Sequence, residues 1–239
     1  MLALWKKKWV SAAAMSVFLV AFASTSHALT FVWSVEDSTG VIGAGLTTSS
    51  SSLHQTGDFA LFLNSPLSGT DDAFGMSFNA VNDSSLSQIF SLSLVRTTAP
   101  TSLDGGNIAV SSTLTLSDTS SPRDGASLTS VAGEALFQAT LDGVPVETLF
   151  DAPYQLSCTS GSLLACNTVD SASAGPSAIS PLGTTTARGI VYQFELSPGD
   201  SAGGNGTVSI QEVPEPSLSL LVVLGGAWLA SRRQRKRAA

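Results

Sequence analysis

The chain has 239 residues, with 11 Lys and Arg against 18 Asp and Glu, and these charges are segregated along the sequence. All 18 acidic residues lie in the segment 29–216 with only three arginines and no lysine, which gives this segment a net charge of −15. A segment with so few cations releases few counterions from phosphate, so it is a poor partner for nucleic acid or anionic lipid, and a DNA-binding function is excluded. Charged residues make up 12% of the chain against roughly 25% in an average globular protein. The same segment contains 32 Ser and 21 Thr, a composition typical of an exported protein.

The N-terminal segment 1–28 has the three parts of a secretory signal in order. Lys6–Lys8 form the positive region, Val10–Ala23 form an apolar stretch, and Ser26-His27-Ala28 is a small-x-small cleavage site. A transmembrane anchor is the alternative, but the apolar stretch is shorter than the roughly 20 residues that a spanning helix needs. We therefore predict a signal peptide over 1–28, read by the Sec translocon and cut by signal peptidase between Ala28 and Leu29.

Residues 29–212 contain short β-type stretches separated by Gly, Pro, Asn, Asp and Ser. The predicted strands are Thr30–Val35, Phe59–Leu63, Phe74–Phe78, Ile89–Val95, Ile108–Leu116, Ala135–Leu141, Tyr154–Cys158, Ile190–Leu196 and Thr207–Gln211. Within Ile89–Val95 apolar residues alternate with serine, as in a strand with one buried face. We interpret residues 160–188 as a long loop and 197–206 as a turn.

This pattern predicts a single all-β domain over 29–212. No window keeps a helical period, and turn sequences such as Leu141-Asp142-Gly143 separate the strands. Short strands with turn-rich connections are typical of a β-sandwich or jelly roll, and the segment is long enough for one such domain with its own core.

Cys158 and Cys166 are the only cysteines and both lie in the segment that we expect to be exported. Two thiols in an oxidising compartment form a disulfide in most cases, and the closed loop contributes roughly 2–3 kcal/mol in the entropic model. A metal site would need further soft ligands, and the only histidine of the segment is His54. We predict a disulfide, no metal site and no cofactor.

The sequence contains none of the common catalytic motifs. His54 stands in a Ser-rich stretch that we interpret as a loop, without a nucleophile elbow nearby, and neither a zinc-protease motif nor a nucleotide-binding motif occurs. The acid pairs Glu36-Asp37 and Asp71-Asp72 resemble glycosidase carboxylates only in composition, because adjacent residues of a strand point to opposite faces. The sequence therefore favours a protein without enzymatic activity.

Two other kinds of site are left open by the residues. Asp71-Asp72 and Asp104–Asn107 are oxygen-rich turns that suit calcium, although neither has a complete loop spacing. Asn82-Asp83-Ser84 and Asn205-Gly206-Thr207 match a glycan acceptor pattern, which matters only in an organism that has the transferase.

The C-terminal segment 213–239 also has three parts. Val213, Pro214, Glu215 and Pro216 come first, an apolar stretch over Leu218–Ala230 follows, and the last part contains the cations Arg232, Arg233, Arg235, Lys236 and Arg237. A helix over the apolar stretch covers about 20 Å of a hydrocarbon core of about 30 Å, so the predicted transmembrane helix is short. The cations should stay in the cytoplasm, which places the acidic domain outside. A plain C-terminal anchor is the alternative.

The Pro-Glu-Pro sequence favours a processing signal over a plain anchor. Neither proline can join a helix, and the residue before each is extended, so the motif is a stiff, exposed segment at the membrane surface. Together with the helix interrupted by Gly225-Gly226 and the terminal cations, it resembles the C-terminal signal of the PEP-CTERM family. The resemblance is confined to the segment 213–239, and it implies recognition by an exosortase that cuts near the motif.

The resemblance implies an exported protein that is first anchored in the inner membrane of a Gram-negative bacterium and then transferred to the cell surface or extracellular matrix. There it would be associated with exopolysaccharide and biofilm. The first alternative is a carbohydrate-binding module or adhesin, whose marker would be exposed aromatic residues. Trp33 is the one tryptophan of residues 29–216, so the sequence disfavours an aromatic stacking platform. A secreted hydrolase is the second alternative, and acids that converge on a cleft would be its marker.

Overall fold

A computed structural model describes residues 29–65, 73–103, 106–119, 124–159, 166–179 and 183–212, and these residues form an all-β structure without helix. None of these ranges supplies a helix that could span a membrane. The predicted signal peptide over 1–28, the acid pair Asp71-Asp72 and the whole C-terminal signal over 213–239 lie outside the described residues.

The strands form two antiparallel sheets, here called sheet A and sheet B. Sheet A contains β1 (Leu29–Asp37), β2 (Gly40–Thr47), β6 (Gln88–Leu103), β8 (Ala126–Ser130), β9 (Phe137–Leu141), β10 (Val144–Leu149), β11 (Gln155–Cys158) and β13 (Gly183–Leu196). Sheet B contains β3 (Ser51–Gln55), β4 (Phe59–Asn64), β5 (Ala73–Asn82), β7 (Gly106–Asp118), β12 (Asn167–Ile179) and β14 (Asp200–Glu212). The strand order is β10-β9-β13-β6-β1-β2 in sheet A, with β8 and β11 beside one end of β13, and β12-β7-β14-β5-β4-β3 in sheet B.

The two sheets pack face to face around one hydrophobic core. Alternate residues of each strand point inward, as the pleat requires, and the core contains Phe and Leu side chains from both sheets. The rings of Phe78 in sheet B and Phe194 in sheet A are stacked with centroids 5.3 Å apart. Between the same layers the hydroxyl groups of Tyr192 and Ser112 form a buried hydrogen bond of 2.8 Å. The prediction of an all-β sandwich is therefore confirmed.

All nine predicted strands are present, but two predicted irregular segments are wrong. Residues 160–188 are not one long loop, because they contain β12 and the start of β13. β12 is an edge strand whose inward side chains from Thr168 to Ala174 are small or polar, so it shows no apolar alternation there. The turn predicted over 197–206 is much shorter, since β14 already begins at Asp200.

The first strand begins, and the last strand finishes, towards the same end of the sandwich. β1 runs antiparallel to β6, and β14 runs antiparallel to β7, which begins three residues after the last residue of β6. β1 therefore starts, and β14 finishes, towards the β6–β7 connection. We call this the terminal end, and we call the opposite end, which carries the β1–β2, β3–β4, β5–β6 and β13–β14 turns, the turn end.

The predicted disulfide between Cys158 and Cys166 is confirmed, and it joins the two sheets. Cys158 is the last residue of β11 in sheet A, and Cys166 directly precedes β12 in sheet B. Their Cα atoms are 5.9 Å apart, and the backbone N–H of Asp118 donates to the carbonyl of Cys166 at 3.1 Å. The bond therefore links the layers at the turn end of the sandwich.

Candidate binding face

The outward face of sheet B is a wide surface without charged side chains. Paired residues of neighbouring strands point to the same side of a sheet, so the register defines rows that cross all six strands. We define the neutral face by three such rows. From β12 to β3 they are Asn167, Ser117, Ser201, Val81, Ala60 and Gln55; then Val169, Thr115, Gly203, Asn79, Phe62 and Leu53; then Ser171, Thr113, Asn205, Ser77, Asn64 and Ser51.

Hydroxyl and amide side chains dominate this face. Twelve of its eighteen residues are Ser, Thr, Asn or Gln, and none is Asp, Glu, Lys, Arg or His. Six strands at a spacing of about 4.8 Å make the face about 24 Å wide. Asn79 and Asn205 are exposed near its centre, and their side chains make no hydrogen bond within the described part of the chain. These amides can donate to and accept from a ligand.

One edge of the neutral face carries an exposed apolar pair. Leu53 on β3 and Phe62 on β4 are directly paired across the strands, and 64% and 43% of their surfaces are exposed. Val169, which is 60% exposed, lies in the same row at the opposite edge. Large apolar side chains that remain exposed beside polar neighbours are a common feature of binding surfaces.

Eight of the fourteen acidic residues that the structure describes lie at the turn end. Those that the structure describes there are Glu36, Asp37, Asp58, Asp83, Asp118, Asp124, Glu195 and Asp200. Asp118 and Asp200 are paired across β7 and β14, and both are buried. Burial raises the pKa of Asp200 to about 6, the hydroxyl of Ser197 donates to its carboxylate and opposes the rise, and the nearby negative charges of Asp118 and Asp124 add to it.

The acid pair Glu36-Asp37 closes a turn. The backbone N–H and the hydroxyl of Thr39 both donate to Asp37 Oδ1 at 2.6 Å, and these bonds lower the pKa of Asp37. Its carboxylate therefore stabilises the β1–β2 turn. Among the described residues, no three His, Cys, Asp or Glu side chains are grouped in a way that could hold a metal ion.

His54 lies on a strand, so the prediction of a loop around it is wrong. It is part of β3, and its ring lies against the indole of Trp33 with centroids 4.5 Å apart. The Nε2 atom of His54 and the hydroxyl of Ser52 are 3.1 Å apart, and burial lowers the pKa of the imidazole. Trp33 is 8% exposed, so both rings help to close the core between the edge strands β2 and β3.

The two glycan acceptor sequences lie in different environments. Asn82 is buried, and its side-chain nitrogen donates to the carbonyls of Leu86, Leu196 and Ser197 at 2.8, 3.0 and 3.1 Å. A glycan on this nitrogen is incompatible with the fold because those bonds would be lost. Asn205 is exposed on the neutral face, where a glycan could be accommodated.

No protein-family model matches the sequence, and no curated protein matches it. Among solved structures, the chain is similar to TmCBM61 in complex with β-1,4-galactotriose, with 10% identity and a TM-score of 0.24 over 64% of this chain and 88% of that chain. It is also similar to a chain of the infectious bursal disease virus Gx strain, with 13% identity and a TM-score of 0.22 over 89% of this chain and 71% of that chain. TM-scores this low do not show a shared fold.

Sequence reasoning missed the neutral face altogether. Its rows combine residues from six strands, of which the sequence predicts β4 and β7 over most of their length and β5 over half of it. The sequence pattern indicates loops at β3 and β12 and a turn over half of β14. The available signal was the absence of charge from the stretches 51–55, 73–82, 106–117 and 201–211.

Proposed function

We propose that this chain is an exported cell-surface or extracellular-matrix protein without enzymatic activity. An N-terminal signal peptide over 1–28 directs it through the Sec translocon. The β-sandwich over 29–212 is then held at the inner membrane by the short helix within 213–239. An exosortase releases it near Val213–Pro216, and it becomes associated with exopolysaccharide.

The observation that carries this proposal is the common direction of the two chain ends. The start of β1 and the finish of β14 both point to the terminal end of the sandwich. Only five residues separate Glu212 from the apolar stretch that begins at Leu218, and they span at most about 18 Å when extended. A membrane-held precursor would therefore present its terminal end to the membrane and its acidic turn end to the exterior.

The disulfide and the surface composition support export. A bond between Cys158 and Cys166 persists in an oxidising compartment and is rare in the cytosol. Acidic residues without lysine keep the domain from the anionic surface of the membrane that holds it. Both features suit a domain that functions outside the cell.

The carbohydrate-binding alternative is favoured by the neutral face. Hydroxyl and amide groups beside an exposed apolar pair can both hydrogen-bond a sugar and cover its apolar C–H groups, and the face extends over six strands. For the hydrolase alternative, by contrast, the paired acids Asp118 and Asp200 are both buried, and Asp37 is hydrogen-bonded within a turn. We therefore keep polysaccharide association as part of the proposed function.

Replacement of Glu215 by Ala tests the sorting step. The apolar stretch and the terminal cations are unchanged in this variant, so membrane insertion should persist while release to the surface is lost. The measurement is cell fractionation with an antibody to the sandwich, in a host that has an exosortase. Glu212→Ala, which removes the acid three residues earlier, is the matched control and should be released like the wild type.

A second variant separates sorting from anchoring. Deletion of Arg232–Arg237 should weaken retention of the helix in the membrane, because the cations hold the tail on the cytoplasmic side. If the Glu215→Ala protein is distributed like the wild type, and both keep the C-terminal tail, the segment is a plain anchor and the proposed sorting is wrong.

A further inference from the structure

We propose that the neutral face of sheet B is a docking surface for a neutral polysaccharide. This inference rests on the proposed function, because it names the surface and the ligand class through which an exported sandwich would join an extracellular polymer. It is carried by the charge, the hydrogen-bonding groups and the shape of the eighteen residues that define the face.

The charge distribution selects an uncharged ligand. Residues 29–216 have a net charge of −15, yet no ionisable side chain lies on the neutral face. An anionic polymer would be repelled by the acidic domain as it approached, and a second copy of this chain would bring the same excess of negative charge. A cationic polymer would find its partners at the acidic turn end. The uncharged face is therefore complementary in charge to a neutral polymer.

The polar groups of the face match those of a sugar. Hydroxyl and amide side chains both donate and accept, as sugar hydroxyls do, so each can exchange a bound water for a ligand contact. The exposed Asn79 and Asn205 lie on adjacent strands near the centre of the face. In the row next to the face, the hydroxyl groups of Ser111 and Thr207 are hydrogen-bonded to each other across β7 and β14 at 2.7 Å.

An apolar contact lies next to these amides. Phe62 is the row neighbour of Asn79 on one side and of Leu53 on the other. The C–H groups of a pyranose ring are apolar and can cover the exposed Phe62 ring and the Leu53 side chain, which removes apolar surface from water. One ring can therefore contact Phe62 while its hydroxyls reach Asn79.

The shape of the face favours a polymer over a small molecule. Small ligands are bound in concave pockets that cover most of their surface, whereas the neutral face is a sheet about 24 Å wide. An extended chain that crosses several strands can make many weak contacts at once. The affinity then depends on length, as expected for a component of an extracellular matrix.

The test is affinity electrophoresis of the purified full chain in detergent, with its disulfide formed. The gels contain one of three neutral polysaccharides, dextran, hydroxyethylcellulose or galactomannan, or the anionic polysaccharide alginate. We expect at least one neutral polymer, and not alginate, to retard the wild type. Phe62→Ala and Asn79→Asp should each weaken this binding at least tenfold.

Two matched variants control for non-specific effects. Leu86→Ala truncates a side chain that is 43% exposed, like Phe62, but lies in the β5–β6 turn. Gln155→Glu makes the same change from amide to acid on β11 of sheet A, at another exposed position. Both should bind within about twofold of the wild type, and all four variants should retain the wild-type near-UV circular dichroism.

Three outcomes would overturn the inference. They are the absence of retardation by all three neutral polymers, equal binding by the face variants and their controls, and a wild-type dimer in analytical ultracentrifugation that Asn79→Asp dissociates. The Glu215→Ala protein should bind like the wild type although it is retained at the membrane. Loss of binding with intact sorting therefore rejects only this inference, and loss of sorting with intact binding rejects only the proposed function.

Discussion

At the scale of single residues, Asp200 has the most unusual environment among the described carboxylates. It is fully buried beside Asp118, and one of its oxygens, Oδ1, has no hydrogen-bond partner in the part of the chain that the structure describes. Burial and the neighbouring charges raise its pKa from 3.8 to about 6. The folded protein therefore binds a proton at Asp200 more tightly than the unfolded chain does.

This shift predicts a pH dependence of stability that an Asp200→Asn variant should lack. Below about pH 4 Asp200 is protonated in both states, and between pH 4 and 6 the folded state alone keeps the proton. Its contribution to stability is therefore present at low pH and is lost as the pH rises through 6. Urea unfolding at pH 4 and pH 7 should show Asp200→Asn gaining free energy of unfolding relative to the wild type at the higher pH.

Asp37→Asn is the control with the opposite sign. Hydrogen bonds from Thr39 lower the pKa of Asp37. The ionised carboxylate of Asp37 therefore stabilises the folded state above about pH 4, and this stabilisation is lost as the pH falls below that value. This variant should be less stable than the wild type at pH 7, and the difference should shrink as the pH falls below 4. If the free energies of unfolding of Asp200→Asn and the wild type differ by the same amount at every pH, the assigned environment of Asp200 is wrong.

At the scale of elements, strands with a large apolar side chain at alternate positions could be predicted from the sequence. Ile89–Val95 alternates clearly, and it became part of β6. β2 was missed because glycine occupies the inward positions 43 and 45. A Cβ atom at Gly45 would lie 2.8 Å from the indole of Trp33, so the missing side chain makes room for that ring. The sequence of β2 therefore shows no apolar alternation, because the side chain of Trp33 on the neighbouring strand β1 fills the space next to Gly45.

The candidate site could not be predicted for a different reason. Its rows depend on which strands are neighbours and in which register, and the order β12-β7-β14-β5-β4-β3 is far from the order in the chain. In the sequence, nothing distinguishes Phe62 from the aromatic residues that strands bury. Only its pairing with Leu53 and Asn79 shows that it lies on an exposed face. Composition predicted a Ser-rich and Thr-rich surface but not its segregation from the acids.

The disulfide is an element-scale connection whose removal should be measurable. A Cys158→Ser, Cys166→Ser double variant loses the closed loop of eight-residue separation, which the entropic model values at about 2–3 kcal/mol. Urea unfolding of this variant should show that loss, and reduced wild type should show a similar one. Equal unfolding midpoints for the variant and the oxidised wild type would show that the bond does not stabilise the association of the two sheets.

At the scale of the whole molecule, three surfaces are separated from one another. β1 begins and β14 finishes towards the terminal end, eight of the fourteen described acids lie at the opposite turn end, and the neutral face covers one side of sheet B between them. This arrangement suits a domain that is released from a membrane on one side and contacts an uncharged polymer on another.

The most direct test of the proposed export and processing is the intact mass of the protein recovered from the cell exterior, in a host that has an exosortase. We expect a chain that begins at Leu29, ends near Pro214–Pro216 and takes up an alkylating reagent at Cys158 and Cys166 only after reduction. A mass that retains Met1, or one that still includes Arg232–Arg237, would contradict the account.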